Sequence, residues 1–309
     1  MISSAFFHLL RLFLTFFVIV TLVFFATRMT GNPVDFIMGE GLSETDRQKL
    51  IEYYRLDGSV FAQYFSYLKS LIQGEFGLSF LERRPVIDIV GERIWPTVQL
   101  LISSVLLTLT IAVPLGIIAA LGRGKWTGNL AMTIAFLGYA VPNFVFAIIL
   151  ILTFSYWLNW LPIVGNATMA HFILPTIVMS GLMIGSLTRF TRNAMLDVLG
   201  QDFMRTARAK GLSEKSVIGR HGLGNASITI LSVVGLQIAT TVAAGSVVVE
   251  SIFAWPGIGE LLVGSAIRRD YPVLQFGVLT VAFGVILVNA AVDLAYGWAD
   301  PRLRNKSRK

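Results

Sequence analysis

Residues 202–226 read DFMRTARAKGLSEKSVIGRHGLGNA, a polar segment between two long apolar runs of the chain. The 309-residue chain is 55% hydrophobic and only 14% charged, whereas soluble domains carry about 25% charged residues. This composition predicts an all-α integral membrane protein. The bilayer core does not solvate a run of charged side chains, so the polar segment must lie outside it. It therefore separates two membrane-spanning helices.

Six apolar runs are long enough to predict spans, since a helix needs about 20 apolar residues to cross the hydrocarbon core. The first run contains Arg11 near its start, where a long side chain can reach the interface, and ends before Arg28 without a small-residue cleavage site. It is therefore expected to be a retained span. The third run contains Pro142, which predicts a kink. The predicted spans cover residues 9–27, 97–121, 130–158, 172–187, 228–249 and 273–296.

The distribution of basic residues predicts the orientation. Loops 122–129 and 188–227 and the tail 298–309 are rich in Lys and Arg, and six spans place all three on one face. Basic loops are retained on the cytoplasmic side, so both termini are expected there. The net charge of +7 then needs no nucleic-acid partner.

This topology predicts four regions along the chain. They are an N-terminal span (1–28), an outer segment (29–96), a five-helix core (97–297) that includes the polar loop 188–227, and a basic tail (298–309). In the outer segment, Ser43 with Asp46 resembles a helix start, and apolar residues recur at helical spacing over 61–72 before Gly74. Two short amphipathic helices are expected, which either cap the bundle or contact a delivered substrate or its carrier.

Several chemistries lack the residues they need. The chain has no cysteine, and its three histidines are far apart in sequence. The stretch 122–126 fails as a phosphate-binding loop, because Ala119 stands at the first glycine position and Trp126 at the metal-binding Ser or Thr. No metalloprotease or serine-hydrolase motif is present. We expect no catalytic residue, bound cofactor or metal in this chain.

Ionisable and small residues within the spans leave alternatives open. Glu250 and Asp293 lie at opposite ends of their spans, whereas an ion-coupled carrier needs a polar cluster near mid-membrane. Two small-residue faces predict close helix contacts, either within the subunit or at a subunit interface or pore wall. They comprise Gly181 and Gly185, and Gly235, Ala239 and Ala243.

The polar insert predicts a short helix over 201–210 that ends at Gly211, then a second turn capped by Ser213, with Gly222 and Gly224 breaking the chain before the next span. Phe203 and Met204 would supply an apolar anchor beside a small surface. That surface is Thr206, Ala207, Ala209 and Gly211. The helix either lies in a groove of another protein or rests on anionic lipid, and the residues favour neither.

Residues 253–257, FAWPG, predict a stiff re-entrant turn at the outer mouth. Trp255 suits a membrane interface as a structural anchor. A gate or a contact with a delivering protein is the alternative, and it would use Glu250, Phe253, Trp255, Pro256 and Gly257.

Residues 205–212, RTARAKGL, resemble the cytoplasmic loop of ATP-binding-cassette importer permeases of the branch that carries dipeptides, oligopeptides and nickel. Arg205, His221 and Gly224 depart from the general form of that loop, in agreement with this branch. Further resemblances follow in order along the chain. They are Gly31-Asn32-Pro33, residues 74–79 (GEFGLS, with Glu75 for the usual Asp), Leu161-Pro162, His171 with Leu174-Pro175, Arg189 with Arg192, residues 250–259 (ESIFAWPGIG) and Asp270-Tyr271-Pro272.

The resemblance implies the type I importer permease fold in a bacterial inner membrane. It implies that this chain forms half of a translocation path with a second homologous permease, two ATPases that hold ATP and Mg, and a soluble binding protein. The insert would then be the coupling helix that contacts an ATPase. Its residues are Phe203, Met204, Arg205, Thr206, Ala207, Arg208, Ala209, Lys210, Gly211 and Leu212. An ion-coupled secondary carrier is the alternative, and a membrane-embedded enzyme lacks a reactive constellation. The substrate stays open among peptides, nickel chelates, glutathione and related solutes.

Overall fold

The computed structural model describes residues 2–29 and 58–299, together with the single positions 45, 48 and 51. Those residues are largely helical, and an isolated antiparallel bridge joins Leu78 to Pro85. In chain order the helices are α1 (Ile2–Met29), α2 (Val60–Ile72), α3 (Val86–Leu121), α4 (Trp126–Ala140), α5 (Asn143–Trp157), α6 (Ala170–Leu199), α7 (Asp202–Ala209), α8 (Glu214–Ile252), α9 (Ile258–Ile267) and α10 (Tyr271–Ala299).

Among the described residues, five helices are long and apolar enough to cross a membrane. They are α1, α3, α6, α8 and α10. The bent pair α4 and α5 makes a sixth candidate span. Large apolar side chains are exposed along these helices, as expected where lipid replaces water. The prediction of an all-helical membrane protein is confirmed, with five spans, or six when the bent pair counts as one.

The third predicted span is broken more sharply than a kink. Helix α4 ends at Ala140, and α5 leaves at 100° to it. Val141 between them is extended (φ −88°, ψ 122°), because a residue that precedes a proline is driven out of the helical region. Pro142 therefore ends one helix and begins the next, where its missing N–H costs nothing.

Three spans continue past the apolar runs that predict them. Helix α3 begins at Val86 rather than near residue 97, α6 continues to Leu199, and α8 begins at Glu214. The added turns carry charged side chains, which the search for apolar runs excludes. At the start of α3, Arg93 pairs with Glu260 at 3.0 Å. Helical structure thus extends beyond the hydrophobic segments wherever charged side chains find partners or water.

The chain divides into two compact units. Unit 1 comprises residues 1–97 and 256–284, and unit 2 comprises residues 98–255 and 285–309. Helices α3 and α10 contribute one part of their length to each.

Unit 2 is held together by close helix contacts. A Cβ added to Gly185 of α6 would lie 2.5 Å from the Ala135 carbonyl oxygen of α4, and one added to Gly235 of α8 would lie 2.5 Å from Val292 of α10. Gly185 and Gly235 thus let the backbones approach within the subunit, whereas Ala243 of the second predicted small-residue face is exposed. A buried cluster that includes Leu187 and Ile230 lies beside these contacts.

Unit 1 combines an aromatic cluster with a polar tie. Phe24 of α1 stacks on Tyr67 of α2, with ring centroids 5.4 Å apart. The buried Asp270 carboxylate accepts hydrogen bonds from the Ser79 hydroxyl and from the Phe80 N–H at 3.1 Å. This contact ties the turn before α3 to the start of α10.

Helix α2 matches the predicted amphipathic helix over 61–72. Ser59 caps its start by accepting from the Ala62 N–H at 3.3 Å. Gly74 follows its end in the left-handed conformation, with φ +76°. The other predicted outer helix, with Ser43 and Asp46, lies outside the described residues.

Candidate functional site: the α7 loop

Residues 200–213, here called the α7 loop, join the two long helices α6 and α8 of unit 2. Gly200 ends α6, and the Gln201 side chain donates to the Asp197 carbonyl oxygen at 3.3 Å. Helix α7 then covers Asp202–Ala209. The connections on either side of α7 are short, so the orientation of α7 follows the ends of α6 and α8.

Two side chains hold α7 against its own chain. Met204 is fully buried and Ala207 is 5% exposed, and both pack against Val217 of α8, with Val198 and Leu199 of α6 beside them. A Cβ added to Gly222 would lie 3.6 Å from the Met204 methyl carbon, so Gly222 lines the same contact. Burying a methionine side chain contributes about 1.5–3 kcal/mol, which is substantial for a helix of eight residues.

The end of α7 is fixed by backbone geometry and by an ion pair. Gly211 has φ +76° and donates to the Arg208 carbonyl oxygen at 2.9 Å. A residue with a Cβ is strained in this left-handed conformation. Ser213 caps the first turn of α8 by accepting from the Ser216 N–H at 3.4 Å. Across this turn, Arg208 Nε donates to Glu214 Oε1 at 2.8 Å.

The outward face of the α7 loop is apolar as well as basic. Phe203 and Leu212 are each 41% exposed. They lie among exposed polar and small residues. These are Asp202, Arg205, Thr206, Arg208, Ala209, Lys210, Gly211 and Ser213. Such a surface can bury an apolar anchor in a partner while its basic rim meets acidic groups.

This arrangement corrects two sequence interpretations. Met204 and Ala207 do not face outward, because they form the contact between α7 and the rest of unit 2. Gly222 and Gly224 do not break the chain, because α8 is continuous from Glu214 to Ile252 through both. A glycine inside a helix costs only about 1 kcal/mol, which the packing around Gly222 can offset. The residues that receive Met204, above all Val217 and Gly222, were missed because sequence spacing does not show which turns meet.

The second group of predicted site residues lies at the other end of α8. Glu250, Phe253 and Trp255 are at most 1% exposed. The rings of Trp255 and Phe172 pack edge to face with centroids 4.4 Å apart. The backbone N–H of Trp255 donates to the Glu250 carbonyl oxygen at 2.9 Å. Ala254 between them has φ +44°, which makes the turn tight, as the sequence predicts.

The burial of these side chains favours the structural role that the sequence left open. Trp255 belongs to the hydrophobic core of unit 2. A gate or a delivering protein would need surface that Glu250, Phe253 and Trp255 do not offer in this structure. Pro256 and Gly257 follow in unit 1, where Pro256 is half-buried and Gly257 buried.

Two further expectations concern titratable groups. The side chain of Asp293 lies outside the described residues. Within the part of the chain that the structure describes, no group of three His, Cys, Asp or Glu side chains could hold a metal ion.

Known proteins resemble this chain over nearly its whole length. Residues 112–305 match the family described as the binding-protein-dependent transport system inner membrane component. Glutathione transport system permease proteins from Escherichia coli K12 and Shigella dysenteriae serotype 1 are 42% identical to it over 304 residues, covering 97% of this chain and 98% of each relative. The inward-facing methionine ABC transporter MetNI has a chain that superposes with TM-score 0.59 at 18% identity, covering 70% of this chain and 98% of that one.

Proposed function

This chain belongs to the binding-protein-dependent transport inner-membrane components, and from that premise we propose that the α7 loop is the surface through which a partner ATPase drives it. The chain is a permease subunit of an ABC importer of the bacterial inner membrane, which works with ATPase and binding-protein partners and is not itself an enzyme. Family membership sets aside the ion-coupled carrier.

One observation supports the proposal: α7 has exposed apolar side chains on one side and a buried contact with the rest of unit 2 on the other. Phe203 and Leu212 face outward, while Met204 packs against α6 and α8 on the opposite side of α7. A partner that pulls on Phe203 therefore moves a helix that is packed against two spans. Rigid-body motion of packed helices is a common way to convert nucleotide-driven closure into opening of a path. A loosely attached loop would absorb the same displacement.

The assembly that we propose contains this chain, a second homologous permease, two ATPases and a soluble binding protein. ATP and Mg²⁺ would be held by the ATPases, and this chain would hold no cofactor. The basic loops 122–129 and 188–227 support an orientation with the α7 loop and both termini in the cytoplasm. Fusing a reporter that is active only outside the cytoplasm to either terminus should give no signal.

The proposed substrate is a short peptide of about the size of glutathione. The support is the end-to-end similarity to permeases named for glutathione transport, at 42% identity. Proteoliposomes with the complete importer and its binding protein should accumulate labelled glutathione or short peptides in competition with one another. Uptake of an amino acid or sugar that excess glutathione and short peptides do not inhibit would contradict this assignment.

The coupling proposal is tested by replacing the outward side chains. Phe203→Ala with Leu212→Ala should lower binding-protein-stimulated ATP hydrolysis and uptake at least about tenfold, because losing a desolvated apolar anchor at an interface costs about 2 kcal/mol or more. Trp126→Ala is the matched control, because Trp126 is 74% exposed at the start of α4 in unit 2. This control should leave both activities unchanged. Co-purification of the ATPases separates loss of docking from loss of coupling.

The other origin of this surface is contact with lipid. If the α7 loop rests on anionic lipid, removing that lipid from the proteoliposomes should reproduce the defect of the Phe203→Ala, Leu212→Ala variant. Unchanged uptake and unchanged ATPase retention in this variant would overturn the coupling proposal.

A further inference from the structure

Unit 1 contains two adjacent cavities of different character. A cavity of about 460 Å³, here called the polar cavity, has a mixed lining in which Arg28, Tyr67 and Glu75 are the main polar side chains. An apolar cavity of about 390 Å³ is lined by residues that include Phe16 and Phe283. Phe76 lines both, so the two lie side by side. Each volume falls within the range of about 300–1,000 Å³ that is typical of small-molecule sites.

The polar cavity offers several hydrogen-bond donors. The Nε atom of Arg28 is buried and has no hydrogen-bond partner among the residues that the structure describes. The Arg28 guanidinium lies 5.2 Å from the Phe24 ring centroid, which holds it in place on one side. Burial, with Tyr64 nearby, raises the pKa of Tyr67, so its phenol stays a neutral donor. Ser66 and Ser70 add hydroxyl groups to the lining. A buried arginine nitrogen of this kind calls for an anionic oxygen.

The cavity also contains a negative side chain. Glu75 lines it and is otherwise exposed. A ligand that carries both an anionic and a cationic group fits this lining better than a simple anion, because a lone anion would be repelled by the carboxylate.

The apolar cavity continues along the same two helices toward the middle of the membrane. On α1, Arg28 lines the polar cavity and Phe16 the apolar one, a separation of about 18 Å at 1.5 Å per residue. On α10, Gln275 lines the polar cavity and Phe283 the apolar one. Half of the hydrocarbon core is about 15 Å thick. The polar end therefore lies where a headgroup lies, and the apolar end where an acyl chain lies.

We propose that unit 1 binds an ethanolamine phospholipid, with its phosphate at Arg28, its ammonium group toward Glu75 and one acyl chain along Phe76, Phe276 and Phe283. The lipid belongs to the leaflet at the C-terminal end of α1. Such a lipid satisfies the Arg28 guanidinium and covers apolar side chains that include Phe283, which is 54% exposed. The site is independent of the α7 loop, which belongs to unit 2.

The complete importer with its ATPases, reconstituted with phosphatidylethanolamine that carries a photoreactive acyl chain, tests the site. After irradiation, labelled peptides are identified by mass spectrometry. Label should concentrate on residues 276–283 and 87–94, above the level on the exposed α1 positions Phe13 and Phe17. Excess unlabelled phosphatidylethanolamine should remove it, whereas excess glutathione should not. Competition by glutathione would indicate a substrate site and overturn the proposal.

Matched variants separate a built site from general lipid contact. Arg28→Gln should lower labelling of 276–283 at least about fivefold, and Arg83→Gln, an exposed arginine of the same unit, should not. Equal labelling in wild type and Arg28→Gln would overturn the proposal. So would an apolar cavity that stays unlabelled because a second subunit covers it.

If Arg28→Gln does not assemble, Glu75→Gln decides. With Glu75 neutralised, the preference for phosphatidylethanolamine over phosphatidylglycerol should disappear, because the carboxylate no longer selects the ammonium group. A preference that stays unchanged would contradict the assignment of the headgroup.

Discussion

The turns at the two ends of helix α8 differ in how far their side chains are buried. At one end, the α7 loop leaves Phe203 and Leu212 exposed and buries only Met204 and Ala207. At the other end, Glu250, Phe253 and Trp255 are all buried inside unit 2. Both turns carry apolar and charged residues next to glycine, and from sequence both could contact a partner. The comparison teaches that a similar composition forms an exposed surface in one place and a core in the other.

The two turns differ in exposure because the turn around Trp255 lies against more apolar side chains of the same unit than α7 does. Trp255 meets Phe172 and a cluster that includes Leu174 and Val178, so its ring leaves solvent without a partner protein. Helix α7 is eight residues long and has one inward face, which Met204 and Ala207 occupy. Its remaining apolar side chains have no such surface and stay outside. Three experiments can break or sharpen this comparison.

The largest effect is expected for Trp255→Ala. Truncating a fully buried aromatic side chain removes about 3–5 kcal/mol from the free energy of unfolding, because it leaves a cavity against Phe172. Trp157→Ala, at a position that is 69% exposed, is the control and should change stability by less than about 0.5 kcal/mol. Both are measured by unfolding in mixed micelles. Equal effects at the two positions would mean that Trp255 is not a core residue.

A smaller effect is expected for Met204→Ala. It should cost about 2 kcal/mol, near the lower end for such truncations, because a short helix can settle toward the cavity. Hydrogen exchange of residues 202–210 should become faster, and coupled ATP hydrolysis should fall although the outward face is unchanged. Met204→Leu keeps the volume and should restore most of both. Unchanged exchange in Met204→Ala would show that the buried contact does not hold α7.

The smallest effect is expected at the Arg208–Glu214 pair. Both side chains are substantially exposed, at 41% and 61%, and solvent screening limits such pairs to about 0.2–1 kcal/mol. A double-mutant cycle with Arg208→Gln and Glu214→Gln measures the coupling energy, which should shrink further in high salt. The Arg205–Asp202 pair, at 3.5 Å and more exposed, is the reference and should give less. A coupling above about 2 kcal/mol would mean that the turn is less accessible than its exposure indicates.

Much of the fold follows from sequence, because a helix enters the hydrocarbon core only if its residues are mostly apolar. The apolar runs predict each span. Apolar residues at helical spacing that end before Gly74 predict α2. The ends of the spans are less accessible to prediction. Helices α3, α6 and α8 continue through charged residues, since charged side chains do not stop a helix that has left the bilayer. The break after Ala140 also exceeds the expected kink at Pro142.

In the candidate site, too, some features follow from the local sequence and others only from tertiary contacts. The helix over 202–209 and the left-handed Gly211 follow from local residue preferences. The inward direction of Met204 does not, because it depends on Val217 and on the absence of a side chain at Gly222. Neither residue is near Met204 in the chain, so no local pattern could have identified the contact.

The sequence by itself determined that this chain is a helical membrane protein of the importer permease family, because apolar runs and ordered motifs depend only on residue type and spacing. The tertiary structure alone decided which faces are free. It turned Met204 and Trp255 inward and left Phe203 and Leu212 outside. It also placed Arg28 in a polar cavity next to an apolar one. The physical reason is that burial is a property of surfaces brought together from distant parts of the chain, and spacing along one helix does not specify its neighbours.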